Sequence, residues 1–190
     1  HDEDKEVRKF AAQYVGVPYA PLSVAYSLVS ADHGKLKDIV ALLKPGAVYA
    51  ADGQAFGRAL DAIADNGHWV VVSDAPHDAD EDLSLAELAT LAGPETADEA
   101  FERLTPDTVA KYLFTSGSTG SPKAVINTQR MLNANQAMVT DCFRFHLDHP
   151  PVVLEWAPWN HTAGGNKVFN MVLTNGGTTV WVYRYKKRTK

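Results

Sequence analysis

The chain has 190 residues, 45% of them apolar and 22% charged, enough for one ordinary domain with a sizeable core and too apolar for wholesale disorder. Its 18 Lys and Arg against 23 Asp and Glu leave a net charge of −5, so the molecule as a whole offers no electrostatic footprint for nucleic acid. A single cysteine, Cys142, excludes an internal disulfide, no Cys/His cluster has zinc spacing, and neither a signal-peptide run after His1 nor a stretch of about eighteen apolar residues is present, so a soluble cytoplasmic protein with no membrane partner is expected.

In chain order, Val7, Phe10, Ala11 and Tyr14 recur at helical spacing, with Gly16 placed to stop the helix. Pro18 and Pro21 within Val15 to Leu28 predict a short strand running into a loop. From Asp32, a possible N-cap, to Lys44, the residues Leu36, Ile39, Val40 and Leu43 share one helical face, and Pro45-Gly46 ends it. Ala47 to Ala50 reads as a strand. A second stripe of Phe56, Leu60 and Ile63 is broken at Asn66-Gly67, and Trp69 to Val72 is a continuous apolar run suited to a strand covered on both faces. Gly34 and Gly57 interrupt helical patterns with no reason visible in the sequence.

Between Asp74 and Asp107 stand eleven acids and one base, Arg103, which predicts a solvated connection around one short helix near Leu83 to Leu91. Strands are expected at Val109 to Phe114 and Ala124 to Ile126, and a long helix at Gln129 to Phe145. Met131, Ala134, Met138, Cys142 and Phe145 share one face of that helix, which makes Cys142 a core thiol on this reading. Val152 to Trp156 is strand-like, Asn166 to Leu173 helical, Gly176-Gly177 a turn, and Thr178 to Val182 a last strand. His33, His68, His77, His146 and His149 read as surface or helix-end residues. The alternation argues an α/β fold, a layered and largely parallel sheet flanked by helices. Arg184, Lys186, Lys187, Arg188 and Lys190 crowd the end of the chain, either as a solvated terminus or as a contact for phosphate or RNA.

The segment richest in chemistry is Thr115-Ser116-Gly117-Ser118-Thr119-Gly120-Ser121-Pro122-Lys123, a polar loop between two apolar strands. Gly117 and Gly120 permit positive φ and leave backbone N–H groups free to converge on an anion. The hydroxyls of Thr115, Ser116, Ser118, Thr119 and Ser121 add donors, and Lys123 adds a mobile positive charge. Phosphate binding is the reading that uses all of these. The ordinary P-loop does not fit, because Pro122 stands where its second glycine belongs and Ala124 where its Ser or Thr belongs. A plain Gly/Ser connection is the alternative.

This loop resembles the signature of the adenylate-forming (AMP-binding) enzymes, the superfamily of acyl-CoA synthetases, luciferases and peptide-synthetase adenylation domains. Lys123 to Leu132 and Trp156-Ala157-Pro158-Trp159-Asn160-His161-Thr162 closely resemble the feruloyl-CoA synthase family, and Tyr14 to Ser23 resembles an earlier core motif. The resemblance runs from about Tyr14 to Gly177 and implies a partial AMP-binding domain over 1–177 followed by a divergent basic tail, 178–190. It implies the chemistry of an acid–CoA ligase: ATP with Mg2+ activates a carboxylic acid, here ferulate or another hydroxycinnamate, and coenzyme A accepts the acyl group. The loop from Thr115 to Lys123 would then cover the β- and γ-phosphates, and His161 would orient the acid or stabilise charge at the reacting centre. Without the family, His161 in its Pro-Trp-Asn-His-Thr setting reads as a hydrogen-bonded structural histidine. Trp156 and Trp159 fit either an aromatic pocket or the core, and Asn166 and Asn170 either a site or solvent.

The family's adenine-, ribose- and magnesium-binding segments and its C-terminal catalytic lysine have no counterpart in this sequence. The chain is therefore expected to be an N-terminal-side piece, incompetent alone, with no metal site of its own. The competing functional reading is a non-catalytic phosphate- or nucleotide-binding module.

Overall fold

The computed structural model describes residues 11–78, 80–115, 122–157 and 160–181. Val7 and Phe10 of the first stripe, Ser116 to Ser121, Pro158, Trp159 and the basic tail lie outside the described residues. The chain divides into two compact units, one of residues 22–102 with 114–124, the other of 1–21, 103–113 and 125–190.

The first unit grows from the stripes seen in the sequence. After a single helical turn, α1 (Ala25–Leu28), helix α2 (Gly34–Leu43) buries Leu36, Ile39 and Val40 at the i, i+3, i+4 spacing that aligns side chains on one face. Strand β1 (Ala47–Asp52) leads into α3 (Gly53–Asp61), β2 (Trp69–Asp74) and β3 (Leu83–Ser84), and the three strands form a parallel sheet in the order β1-β2-β3. Ala47 pairs with Trp69 and Asp52 with Asp74, while Val71 and Val72 meet Leu83 and Ser84. Val71 and Val72 are buried, as a strand covered on both faces requires. Two apolar clusters result: Leu36, Val40, Ala59 and Ile63 beneath Leu22, Tyr26 and Val48, and Ala50, Leu60 and Val72 beneath Phe56 and Val70.

Gly57 finds its reason here. A Cβ on Gly57 would stand 2.7 Å from Nδ1 of His77, whose Nε2 is 2.8 Å from Asp61 Oδ1, so the loop after β2 lies directly on α3. Gly34 donates its N–H to Asp32 Oδ1 at 3.1 Å. Asp32 thus satisfies the start of α2, but from one residue further out than expected: the capping position is His33, buried and at φ 52. The Gly34 N–H and the Ser30 hydroxyl hold the Asp32 carboxyl below the usual carboxylate range.

The acidic stretch is more ordered than a solvated connection with one helix. It contains β3, the short helix α4 (Leu85–Leu88) and a second helix, α5 (Pro94–Glu102). A reciprocal Ser84/Glu87 capping box explains α4, and the Ser84 hydroxyl and N–H hold the Glu87 carboxyl below its ordinary value.

In the second unit the expected strand near Val15 reduces to one bridge, Tyr19 to Lys111, because Pro18 and Pro21 withhold the N–H groups a longer ladder needs. Strand β4 (Val109–Thr115) pairs with β5 (Lys123–Thr128), which runs straight into α6 (Gln129–Cys142). The connection from Thr115 to Lys123 is shorter than the dozen or so residues a parallel crossover needs, so the pair is antiparallel. Strand β6 (Val152–Glu155) pairs in parallel with β7 (Thr178–Trp181), Val152 opposite Thr178 and Leu154 opposite Val180. Between them lie a π-helical turn, Ala163–Val168, and α7 (Phe169–Thr174), so the helical segment starts earlier than Asn166.

The α/β reading holds, with parallel pairing in the β1-β2-β3 and β6-β7 sheets. The facing of α6 is corrected. Its buried residues are Leu132 and Gln136, whereas Met131, Met138, Phe145 and Cys142 are exposed, so Cys142 is not a core thiol. The helix turns a polar side chain inward, which apolar periodicity by itself does not reveal.

Candidate functional site

The two strands that carry the polar loop are anchored by ordinary packing. In β4, Ala110 and Leu113 are buried, and the strand ends on exposed Thr115. Strand β5 begins on exposed Lys123 and ends on Thr128, whose hydroxyl accepts the Met131 N–H at 3.3 Å and caps α6. Gln129 N–H and Arg130 N–H reach the carbonyls of Thr108 and Pro106 at 3.0 and 2.8 Å, tying the start of α6 to the approach to β4. Thr115 and Lys123 therefore stand at the strand ends that the loop joins. A hydroxyl and an ammonium there are donors of the kind an anionic phosphate accepts. Ser116, Gly117, Ser118, Thr119, Gly120 and Ser121 lie outside the described residues.

His161 belongs to the other unit. Strand β6 ends on Glu155, buried to 4% exposure, whose Oε1 accepts the backbone N–H groups of Trp156 at 2.9 Å and Ala157 at 2.6 Å and turns the chain out of the sheet. Its Oε2 is buried with no partner among the described residues. Trp156 is 78% exposed, so it is not a core residue. The His161 ring is exposed; its Nδ1 accepts the Ala163 N–H at 3.3 Å and its carbonyl accepts the Gly165 N–H at 2.8 Å. These bonds open the π-helical turn, a geometry that is rare and concentrates at functional sites.

Around that turn lies a set of buried polar side chains that the sequence reading passed over. Lys111 on β4, at 2% exposure, places Nζ 3.4 Å from the Gly165 carbonyl. Gln136 on α6, at 6%, donates from Nε2 to the Asn166 carbonyl at 2.9 Å and to Asn135 Oδ1 at 3.0 Å. Asn127 on β5, at 8%, accepts from Asn166 Nδ2 at 2.8 Å and donates to the Val125 carbonyl at 3.0 Å. Asn166 and Asn170 thus face the interior, not solvent. The available signal was composition: Lys111 interrupts an apolar strand and Asn127 follows Val125-Ile126. Buried polar groups are costly unless bonded, so their presence marks a specified geometry.

Among the described residues no group of three or more His, Cys, Asp or Glu could hold a metal ion, and no helix is long and apolar enough to cross a membrane.

Comparison with known proteins gives the family and the fold. Residues 8–190 match the model of a family described as AMP-binding enzyme. A methyl-dioxo-octahydro-indenyl-propanoyl:CoA ligase of Rhodococcus jostii is 32% identical over 103 residues, 54% of this chain and 19% of that protein. Among solved structures, ATP-bound MatB from Rhodopseudomonas palustris is 24% identical with a TM-score of 0.61, covering 92% of this chain and 33% of its own. A malonyl-CoA ligase in a ternary product complex with methylmalonyl-CoA and AMP is 21% identical with a TM-score of 0.64, covering 94% of this chain and 32% of its own. At these identities the structural likeness is one of fold. The chain spans about a fifth to a third of the length of these relatives.

Proposed function

Because the chain belongs to the AMP-binding enzyme family, we propose that it supplies the phosphate-holding loop and an acid-orienting histidine to a ligase that activates a carboxylic acid with ATP and passes the acyl group to coenzyme A. The observation that carries this reading is the run from Thr115 to Lys123, hydroxyls, glycines and a lysine joining two paired strands, with Thr115 and Lys123 exposed where the strands end.

The chemistry explains why such a loop is needed. A carboxylate is a poor acylating agent because oxide is a poor leaving group; once its oxygen has displaced pyrophosphate from the α-phosphate of ATP, AMP is the group that leaves when the thiol of coenzyme A attacks. The protein's part is to align carboxylate and α-phosphate and to stabilise the negative charge that develops as pyrophosphate departs. The hydroxyls of Thr115, Ser116, Ser118, Thr119 and Ser121 and the backbone N–H groups of Gly117 and Gly120 bind the β- and γ-oxygens, and the Lys123 ammonium neutralises them. Mg2+ carried on the ATP phosphates would offset part of their charge. His161 donates a hydrogen bond to an oxygen of the acid and orients it. Ferulate or a related hydroxycinnamate is the proposed acid, on the wording of Lys123 to Leu132 and of Trp156 to Thr162.

Titration of the purified chain with ATP and with pyrophosphate tests the loop: Lys123→Ala is expected to weaken both about tenfold, the worth of one charge-assisted hydrogen bond. Equal affinity for wild type and variant removes Lys123 from the site. Affinity is a sum over a closed site, so the 190 residues alone are expected to give no ferulate-dependent exchange of pyrophosphate into ATP. Exchange by this chain would show that the remaining length of its relatives is dispensable.

A further inference from the structure

Three buried side chains on three different elements converge on two consecutive residues of the π-helical turn after His161. Lys111 of β4 reaches the Gly165 carbonyl, Gln136 of α6 the Asn166 carbonyl, and Asn127 of β5 the Asn166 side-chain amide. A π-turn has poorer backbone geometry than an α-helix and persists where its surroundings hold it. Here the holding groups are each less than a tenth exposed, and burying them is costly unless they bond. The orientations are determined. Gln136 must point Nε2 toward Asn166, since the backbone carbonyl there only accepts, and Asn127 must present Oδ1 to the Asn166 amide because its Nδ2 serves the Val125 carbonyl.

The turn in turn holds the histidine. Gly165 donates to the His161 carbonyl at 2.8 Å, and Ala163 donates to His161 Nδ1 at 3.3 Å. An N–H donated to Nδ1 requires a lone pair there, so in the neutral ring the proton stays on Nε2. We propose that Gln136, Asn127 and Lys111 are positioning residues that hold the π-turn and thereby fix His161 as the neutral Nε2–H tautomer, a hydrogen-bond donor toward an oxygen of the substrate. The substrate in that statement rests on the ligase reading above; the tautomer does not.

The experiment reads the imidazole directly. Long-range proton–nitrogen correlation spectra of the 15N-labelled chain, at a pH where the ring is neutral and with His161→Gln to assign the signals, are expected to show a pyridine-type Nδ1 and a pyrrole-type Nε2. Gln136→Met keeps the volume and removes both donors. In that variant, and in Asn127→Leu, the His161 signals should move to an average of the two tautomers, and the Gly165 amide should exchange with solvent about tenfold faster. A merely structural residue would alter stability without moving the tautomer. Folded variants that keep both the wild-type tautomer and the wild-type Gly165 exchange overturn the proposal. Should neither variant fold, the wild-type chain decides: a mixture of tautomers, or a Gly165 amide exchanging like unstructured chain, overturns it, and a single Nε2–H form over a protected amide upholds it. No nucleotide is involved, so this outcome and that of the Lys123 titration fail independently.

Discussion

Between Leu22 and Glu102 the buried side chains are almost all hydrocarbon: Leu36, Ile39, Val40, Ala50, Ala59, Leu60, Ile63, Val71 and Val72, with His33 the exception. Among the described residues between Arg103 and Trp181 the interior holds Lys111, Asn127, Gln136, Glu155 and Asn170 beside Ala110, Leu113, Leu132, Pro151 and Val172. The first arrangement gains stability from area removed from water, which is non-directional. The second gains little net stability, since each hydrogen bond replaces one made to water, but it specifies atom positions closely. The region that holds His161 is built for position and its neighbour in sequence for cohesion.

That contrast can be broken by substitution. The largest effect belongs to the apolar region: Ile63→Ala, at 2% exposure against Leu36, Val40 and Ala59, is expected to cost about 3 kcal/mol in denaturant unfolding, the usual range for a large-to-small core change. Next is Gly53→Ala, whose new Cβ would stand 2.5 Å from the His77 backbone nitrogen and 2.6 Å from the Ala75 carbonyl, neither able to yield as a flexible side chain does. About 2 kcal/mol is expected, the scale of overpacking. In the polar region Gln136→Met should cost about 1 kcal/mol, because it strands the Asn166 carbonyl but also removes Gln136 Oε1, itself buried without a partner among the described residues. A loss as large as that of Ile63→Ala would erase the distinction between the two regions.

The smallest effect is one of pH. Burial pushes the His68 imidazole below its usual value of about 6.5, and its Nδ1 is shielded without a partner among the described residues. The unfolded chain then binds the proton at a higher pH than the folded one. Stability contributed by the neutral ring is present above about pH 6.5 and declines as the pH falls through the lower folded value. His68→Phe should flatten that acid-side slope in thermal unfolding scans.

Much of the apolar region was legible in the sequence. Leu36, Ile39 and Val40, and Phe56, Leu60 and Ile63, repeat at helical spacing, and Trp69 to Val72 is an apolar run of strand length; hydrocarbon periodicity is what local sequence encodes most directly. The same rule misread α6. Met131, Met138 and Cys142 do lie on one face and Phe145 falls beyond the end of the helix, but the buried face carries Leu132 and Gln136. A helix buries the face its neighbours can satisfy, and the Gln136 amide nitrogen is met by Asn135 beside it and by a carbonyl thirty residues away. The loop from Thr115 to Lys123 was conspicuous because hydroxyls, glycines and a lysine between apolar strands serve no packing purpose.

By itself, then, the sequence determined the α/β alternation, the apolar stripes and the polar loop, because each depends on residues near one another in the chain. Only the tertiary structure decided why Gly57 has no side chain, which face α6 turns inward, and that Lys111, Asn127 and Gln136 meet at one π-turn. Those outcomes depend on partners brought together across tens of residues, and a polar side chain carries no local sign of whether the chain will bury it beside the donor or acceptor it needs.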